Sequence, residues 1–302
     1  MGGVSNGVVI DTQYEAHHTI YSEEGTDRSQ NSKYTFSYMD DVADKLLLAV
    51  RDGRNACFIG LPCQCAAVRT FFDSNRESVE KLYLVDLACH GVPSGDYLNQ
   101  HIRHINDKYA FVANDVCFRN HDIGTKKAYF FTLKDESEKI RYKKAVWNDD
   151  NFQIAYHSAL MYRDNCYRCR YACEHRIGDI TLADAPWLKN IKETQRDYFK
   201  GVSCILINSD KGLNLFKRMI EAKYIEASLM DIETAKGNIT QLRKPSVPAL
   251  ERDLFLNEYS KSHDFDMACK KALRKQRAKR RLISWIKPNI AAALRNEKKL
   301  GE

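Results

Sequence analysis

Two short apolar runs, Ala56–Gly60 and Leu82–Ala88, constrain this 302-residue chain most strongly. Each is too short for a helix and is followed by a stretch with helical periodicity, Cys63–Phe72 after the first and Ser94 to about Asp107 after the second. Ahead of them Asp40–Arg51 places Val42, Leu46, Leu47 and Val50 on one helical face, and Gly53 stands where a C-terminal cap belongs. Alternation of buried strands with amphipathic helices predicts an α/β fold with a mostly parallel sheet.

The flanks extend that pattern. A hairpin is expected over Gly7–Asp11 and Ala16–Tyr21, with a polar loop and Asn31–Tyr34 after it. Asp115–Arg119, Ala128–Lys134 and Lys139–Val146 read as a small antiparallel insertion, followed by a helix over Phe152–Met161. Strands return at Asp179–Ala183 and Val202–Asn208, and Asp210 opens a helix to Ala222. Past Leu250 one or two helices precede a basic tail. The predicted organisation is a unit over 1–250, with an N-terminal part at 1–40 and the insertion at 111–147, then a helical tail over 251–302.

Composition fits a globular protein, with 44% hydrophobic and 29% charged residues. The formal charge of +7 is concentrated at one end: Lys270–Lys299 holds twelve basic residues and one acidic one, leaving the remainder net acidic. A basic tail without a groove-reading motif does not predict nucleic-acid binding. Its Lys270–Arg281 run followed by Leu282–Ile286 predicts either a solvated basic helix or peripheral contact with an anionic membrane surface. Without an export signal at the start, the expected location is the cytoplasm, where ten cysteines serve metal or redox chemistry rather than disulfides.

Three cysteine segments carry that chemistry: Leu61-Pro62-Cys63-Gln64, Cys89-His90-Gly91-Val92-Pro93, and Cys166-Tyr167-Arg168-Cys169 running on to Arg176-Ile177-Gly178-Asp179-Ile180-Thr181. Cys63 opens a helix, where N–H groups and the helix dipole are expected to lower its thiol pKa. Cys89 follows a strand at the carboxyl edge where ligands collect. Cys166 and Cys169 can chelate one metal or two corners of a cluster. Four thiolates suit a 4Fe–4S cluster; Cys166, Cys169, Cys173 and His175 also match a zinc knuckle. Cys65 points to another face of its helix, while Cys57, Cys117, Cys204 and Cys269 read as core residues. His90 is a candidate proton donor, Arg119 and Asp184 candidate substrate contacts, and His101 with His104 a solvated pair.

In combination these segments resemble the beta-subunit family of coenzyme F420-reducing hydrogenases and dehydrogenases. The carrying residues are Gly60–Gln64, Cys89–Pro93, Cys166–Trp187, Ser32-Lys33-Tyr34 and Gly201-Val202-Ser203. The resemblance implies an oxidoreductase with a 4Fe–4S cluster on Cys63, Cys89, Cys166 and Cys169, and an FAD near Lys33, Gly60, Leu61, Pro62, Asp179 and Asp184. It further implies exchange of electrons with a (deaza)flavin-type donor such as F420 or with a redox partner protein, in some relatives within surface-polysaccharide biosynthesis. Several departures stand out. The ferredoxin-like segment and Ser-Gly-Gly turn of relatives do not occur, Leu61 replaces a threonine, and Ala183-Asp184-Ala185-Pro186-Trp187 replaces Gly-Asp-Phe-Trp-Gly. The competing reading is a non-catalytic homologue with a structural zinc or iron–sulfur site.

Overall fold

The computed structural model describes residues 3–22, 29, 32–121, 129–146, 149–185, 187–188 and 202–278. The polar loop at Glu23–Gly25, Pro186, Gly201 and the apolar end of the basic tail lie outside the described residues. By packing, the chain divides into two compact units, residues 1–95 with 162–247 and residues 96–161 with 248–302. This division differs from the one expected: the antiparallel strands and the C-terminal helices share a unit.

The first unit is built on a seven-stranded sheet. Its strands are β1 (Val4–Ile10), β2 (Ala16–Tyr21), β3 (Ser37–Tyr38), β4 (Ala56–Gly60) and β5 (Leu82–Leu87), completed by β9 (Ile180–Asp184) and β10 (Ser203–Ile207). The spatial order is β10-β9-β5-β4-β1-β2-β3. β4 runs parallel to β1 and β5, and β5 parallel to β9, while β1–β2 and β9–β10 are antiparallel. The short apolar runs therefore form the parallel centre, as their composition requires.

Helices α1 (Val42–Arg51) and α2 (Pro62–Ser74) cover one face of that centre. Val42, Leu46 and Leu47 from α1 and Val68 and Phe72 from α2 pack with Phe58, Leu82 and Leu84 in one buried cluster. Gly53, with φ of +80°, ends α1, and its preceding turn closes with Gly53 N–H donating to Val50 O. Later in the unit come α5 (Asp210–Glu221) and α6 (Ile232–Asn238), the latter not anticipated. No helix among the described residues is long and apolar enough to cross a membrane.

The second unit contains α3 (Gly95–Tyr109), an antiparallel sheet in the order β6 (Asp115–His121), β7 (Tyr129–Lys134), β8 (Ile140–Ala145), and α4 (Asn151–His157), α7 (Arg252–Ser262) and α8 (Phe265–Ala272). α4 stops short of the expected Met161, because Ser158 forms its C-cap and Ala159 turns to φ of +54°. His101 is not solvated as its spacing from His104 suggested; it is 2% exposed and held between two carboxylates. Its Nε2 lies 2.9 Å from Asp150 Oδ2, and its Nδ1 3.0 Å from Asp266 Oδ2. These two acids raise the imidazole pKa to about 10 against the opposing effect of burial, so a buried imidazolium joins α3, α4 and α8.

Candidate metal centre

The cysteine sites grow from the carboxyl edge of the parallel strands. Gly60 ends β4, and Pro62 starts α2 with its fixed φ and missing N–H at the position that tolerates both. Gln64 fixes this turn: its Oε1 accepts from Leu61 N–H at 3.0 Å and its Nε2 donates to Ser37 O at 3.0 Å. Behind it, Asn6 donates to His18 Nδ1 at 2.6 Å, and His18 Nε2 lies 3.0 Å from Ser37 Oγ. Asn6 also bonds both main-chain groups of Ile59. Burial lowers the His18 pKa to about 4, consistent with a neutral ring that accepts at Nδ1.

Cys89 follows β5 in a loop whose close approach depends on Gly91. That residue has φ of +128°, and a Cβ on it would lie 2.6 Å from the Tyr162 ring and 3.1 Å from Cys166 Cβ. The loop is pinned to the third segment by a bridge between Pro93 and Tyr162, and Arg163 N–H donates to Val92 O at 2.9 Å. Cys166 then lies in a 3-10 turn, Asp164–Arg168, with its N–H donating to Arg163 O at 2.8 Å.

These elements bring Cys63, Cys89, Cys166 and Cys169 together. Each of the six pairs among the four repels electrostatically when ionised, so each thiol lies within electrostatic range of the other three. Among the described residues, however, no three of these sulfurs lie within 4.8 Å of one another. One tetrahedral zinc with Zn–S bonds of about 2.3 Å would need sulfurs about 3.8 Å apart. A cubane, in which each thiolate binds a different iron, spaces its ligands more widely. Four converging thiols are the number of ligands that a four-iron cluster takes. Cys166, Cys169, Cys173 and His175 form no group of metal-binding spacing either; the Cys173 thiol instead faces the carbonyls of Arg170 and His175.

The expected lowering of the Cys63 pKa is not found. Burial and the Cys169 and Cys166 charges raise it, outweighing the N–H groups of Cys63 and Gln64 at the helix start, even though the side chain opens to solvent. Burial pushes Cys89 up to about 12, opposed by the Gly91 N–H, and burial also raises Cys166. Cys65 is fully buried with its thiol toward Val85 O, as its helical position required. Of the thiols expected in the core, Cys204 and Cys269 are buried, whereas Cys57 and Cys117 are partly exposed.

His90 projects beside Cys89, and its carbonyl accepts from Ser246 Oγ at 2.6 Å. Its pKa is lowered because surrounding protein outweighs the Asp184 charge, leaving a neutral ring near pH 7. Asp184 is exposed at the end of β9, and Arg119, in the other unit, lies 5.5 Å from the Tyr129 ring centroid. Lys33 sits half-buried ahead of β3.

Four of the residues assigned to a flavin are engaged within the protein. Leu61 N–H is engaged by Gln64, and Pro62 has no N–H. A Cβ on Gly60 would meet the Phe58 ring at 2.6 Å, so that glycine serves internal packing. The 5% exposed Asp179 carboxylate accepts from Leu84 N–H (2.9 Å) and Ser209 Oγ (2.7 Å) and pairs with Lys211 at 3.2 Å.

Sequence reasoning missed Arg176 and Asp86. The guanidinium donates to Asp86 Oδ1, to Leu87 O at 3.1 Å, and to Tyr171 O at 2.7 Å. It therefore braces the end of β5, just before Cys89, against the loop after Cys169. The only available signal was the Arg-x-Gly-Asp run, in which Asp179 drew the attention.

Comparison with curated proteins gave no match. Among solved structures, the chain is similar to one from the F420-reducing [NiFe] hydrogenase complex of Methanosarcina barkeri, at 16% identity and a TM-score of 0.45. The similarity covers 90% of this chain and 79% of that one; likeness at this level carries no argument about activity. A sequence profile for the C terminus of the coenzyme F420 hydrogenase/dehydrogenase beta subunit matches residues 53–233, a span that includes all four converging cysteines, and the chain belongs to that family.

Proposed function

We propose that the chain is an oxidoreductase component that carries a 4Fe–4S cluster on Cys63, Cys89, Cys166 and Cys169 and relays electrons between a reduced donor and a partner protein. The observation that supports this most is the mutual approach of four thiols, the ligand number of a four-iron cluster. A bound cluster would supply one-electron transfer at a potential set by its protein surroundings.

The chain's own residues do the positioning. Gln64 and Pro62 hold Cys63 at the start of α2. Gly91 lets the Cys89 loop close on Tyr162 and Cys166. Arg176 ties the Cys89 strand to the loop that follows Cys169. Tyr162, 4% exposed and near Cys89 and Cys166, excludes water from one side. His90, neutral and open to solvent beside Cys89, is placed to pass a proton when charge changes nearby. Family membership supports the hydrogenase/dehydrogenase class and a (deaza)flavin-type donor such as F420, with surface-polysaccharide assembly as the pathway setting implied by the resemblance.

The test is anaerobic purification followed by absorption spectroscopy and iron, sulfide and zinc analysis. A broad band near ~400 nm bleached by dithionite, with about four irons per chain, is the expected result for four thiolate ligands. A colourless protein with one zinc would sink the proposal and favour the structural-site reading.

A further inference from the structure

Exposed cations lie on and beside the cysteine loops. Arg163, Arg168 and Arg170 are all exposed and flank Cys166 and Cys169 in sequence. Arg243 and Lys244, also exposed, precede Ser246, whose hydroxyl donates to the His90 carbonyl beside Cys89. The five cations outnumber the acidic residues on these loops and at the end of β9, Asp164, Glu174 and Asp184. Glu174 is taken up by Lys236 at 2.7 Å, and that lysine also holds Glu233 at 2.9 Å. Asp164 and Asp184 are the other carboxylates on these loops and at the end of β9.

Two of the cations are held in place. The Arg163 guanidinium lies 4.4 Å from the Phe36 ring centroid, and its main chain joins Val92 to Cys166. Arg170 lies 5.0 Å from the Tyr171 ring centroid and donates to that residue's hydroxyl at 2.8 Å. Stacking Arg163 and Arg170 on separate rings spreads their charge along the rim rather than converging it on one small anion. Pre-organised charges also lose less side-chain entropy when a partner docks.

On the reading that these thiols carry a cluster, we infer that the rim formed by Arg163, Arg168, Arg170, Arg243 and Lys244 docks an acidic one-electron carrier protein. Such a partner brings a negative face to the positive rim and places its redox centre beside Cys63, the exposed member of the ligand set. Complementary charge speeds encounter and sets orientation, and salt weakens both.

The test uses the full chain, with an acidic plant-type 2Fe–2S ferredoxin as the probe and basic cytochrome c as the charge-reversed control. Iron and sulfide are assayed first, so absence of a cluster is seen separately from absence of docking. Calorimetric titration is expected to show ferredoxin binding that weakens about tenfold between ~0.05 and ~0.5 M salt, with none for cytochrome c. The pair R168E/R170E, and independently R243E/K244E outside the cysteine loops, is expected to weaken it about tenfold or more. Reduction by dithionite should be unchanged in variants with native iron content. Ferredoxin binding that ignores both charge-reversed pairs overturns the inference, as does binding to a short DNA duplex in place of ferredoxin. If no iron is found, the cluster reading falls, while titration still decides whether the rim takes an acidic protein.

Discussion

The Arg176 guanidinium donates to the Asp86 carboxylate at 2.7 Å, with both side chains almost fully buried at the edge of the parallel sheet. Asp86 Oδ2 also accepts from Gly178 N–H at 2.9 Å. The pair therefore connects β5, the loop after Cys169 and the entry to β9. Removing one partner strands a buried charge, which costs more than the pair itself contributes. Asp86→Asn or Arg176→Gln should destabilise the chain by about 3–5 kcal/mol. The double variant should lose less than the two single losses added together, and equilibrium denaturation by urea checks both.

Gly91 is the second constraint on the site. Alanine there must adopt φ of +128° and place a methyl 2.6 Å from the Tyr162 ring. The strain costs about 1–3 kcal/mol. The displacement also draws Cys89 away from Cys166, so Gly91→Ala should bind less iron than the parent after anaerobic reconstitution. An unchanged iron content would show that the loop has slack.

The ligand set makes a sharp prediction about which thiols matter. Alanine at Cys63, Cys89, Cys166 or Cys169 should abolish or convert the cluster, seen as lost iron and a changed electron paramagnetic resonance spectrum. Cys173→Ala and Cys65→Ala should keep about four irons per chain. Cys173 separates the readings most directly: a zinc knuckle requires it, whereas the converging set does not.

Much of this was legible in the sequence because local composition decided it. Ala56–Gly60 reads best as a buried strand, and Pro62 and Gly53 mark helix ends wherever the chain packs. Helix α6 was hidden because only Ala235 is buried, giving no apolar stripe, and its N-cap Asp231 bonds Thr234 N–H in a loop-like sequence. Residues whose partners are distant in sequence were equally opaque. His101 meets Asp150 and Asp266 at separations of 49 and 165 residues, and Arg176 meets Asp86 at 90. Asp179 illustrates the reverse: its motif suggested a ligand contact, yet its carboxylate closes a staple among β5, Ser209 and Lys211.

Two buried histidines should give stability opposite slopes with pH. In the second unit, Asp150 and Asp266 face His101 directly, Tyr142 donates to Asp150 at 2.9 Å, Asn151 donates to Asp266, and Arg277 donates to Asn151. His104 also acts on Asp266 electrostatically. The folded pKa of about 10 lies above the ordinary 6.5, so the stabilisation is complete below about 6.5 and is lost as pH rises through 10. In the first unit His18 is held neutral with a pKa of about 4. Its contribution is complete above about 6.5 and is lost as pH falls toward 4, because the unfolded chain binds the extra proton there. Asp40 acts on His18 electrostatically, and Gln64, Ser37 and Asn6 hold its ring. Thermal denaturation across pH should therefore show His101→Gln flattening the alkaline limb and, because His101 also holds the Asp266 pKa down, changing the acid limb as well, whereas His18→Gln flattens the acid limb alone. A His101→Gln variant that kept the alkaline limb, or a His18→Gln variant that kept the acid limb, would contradict the assignment of charge to these two rings.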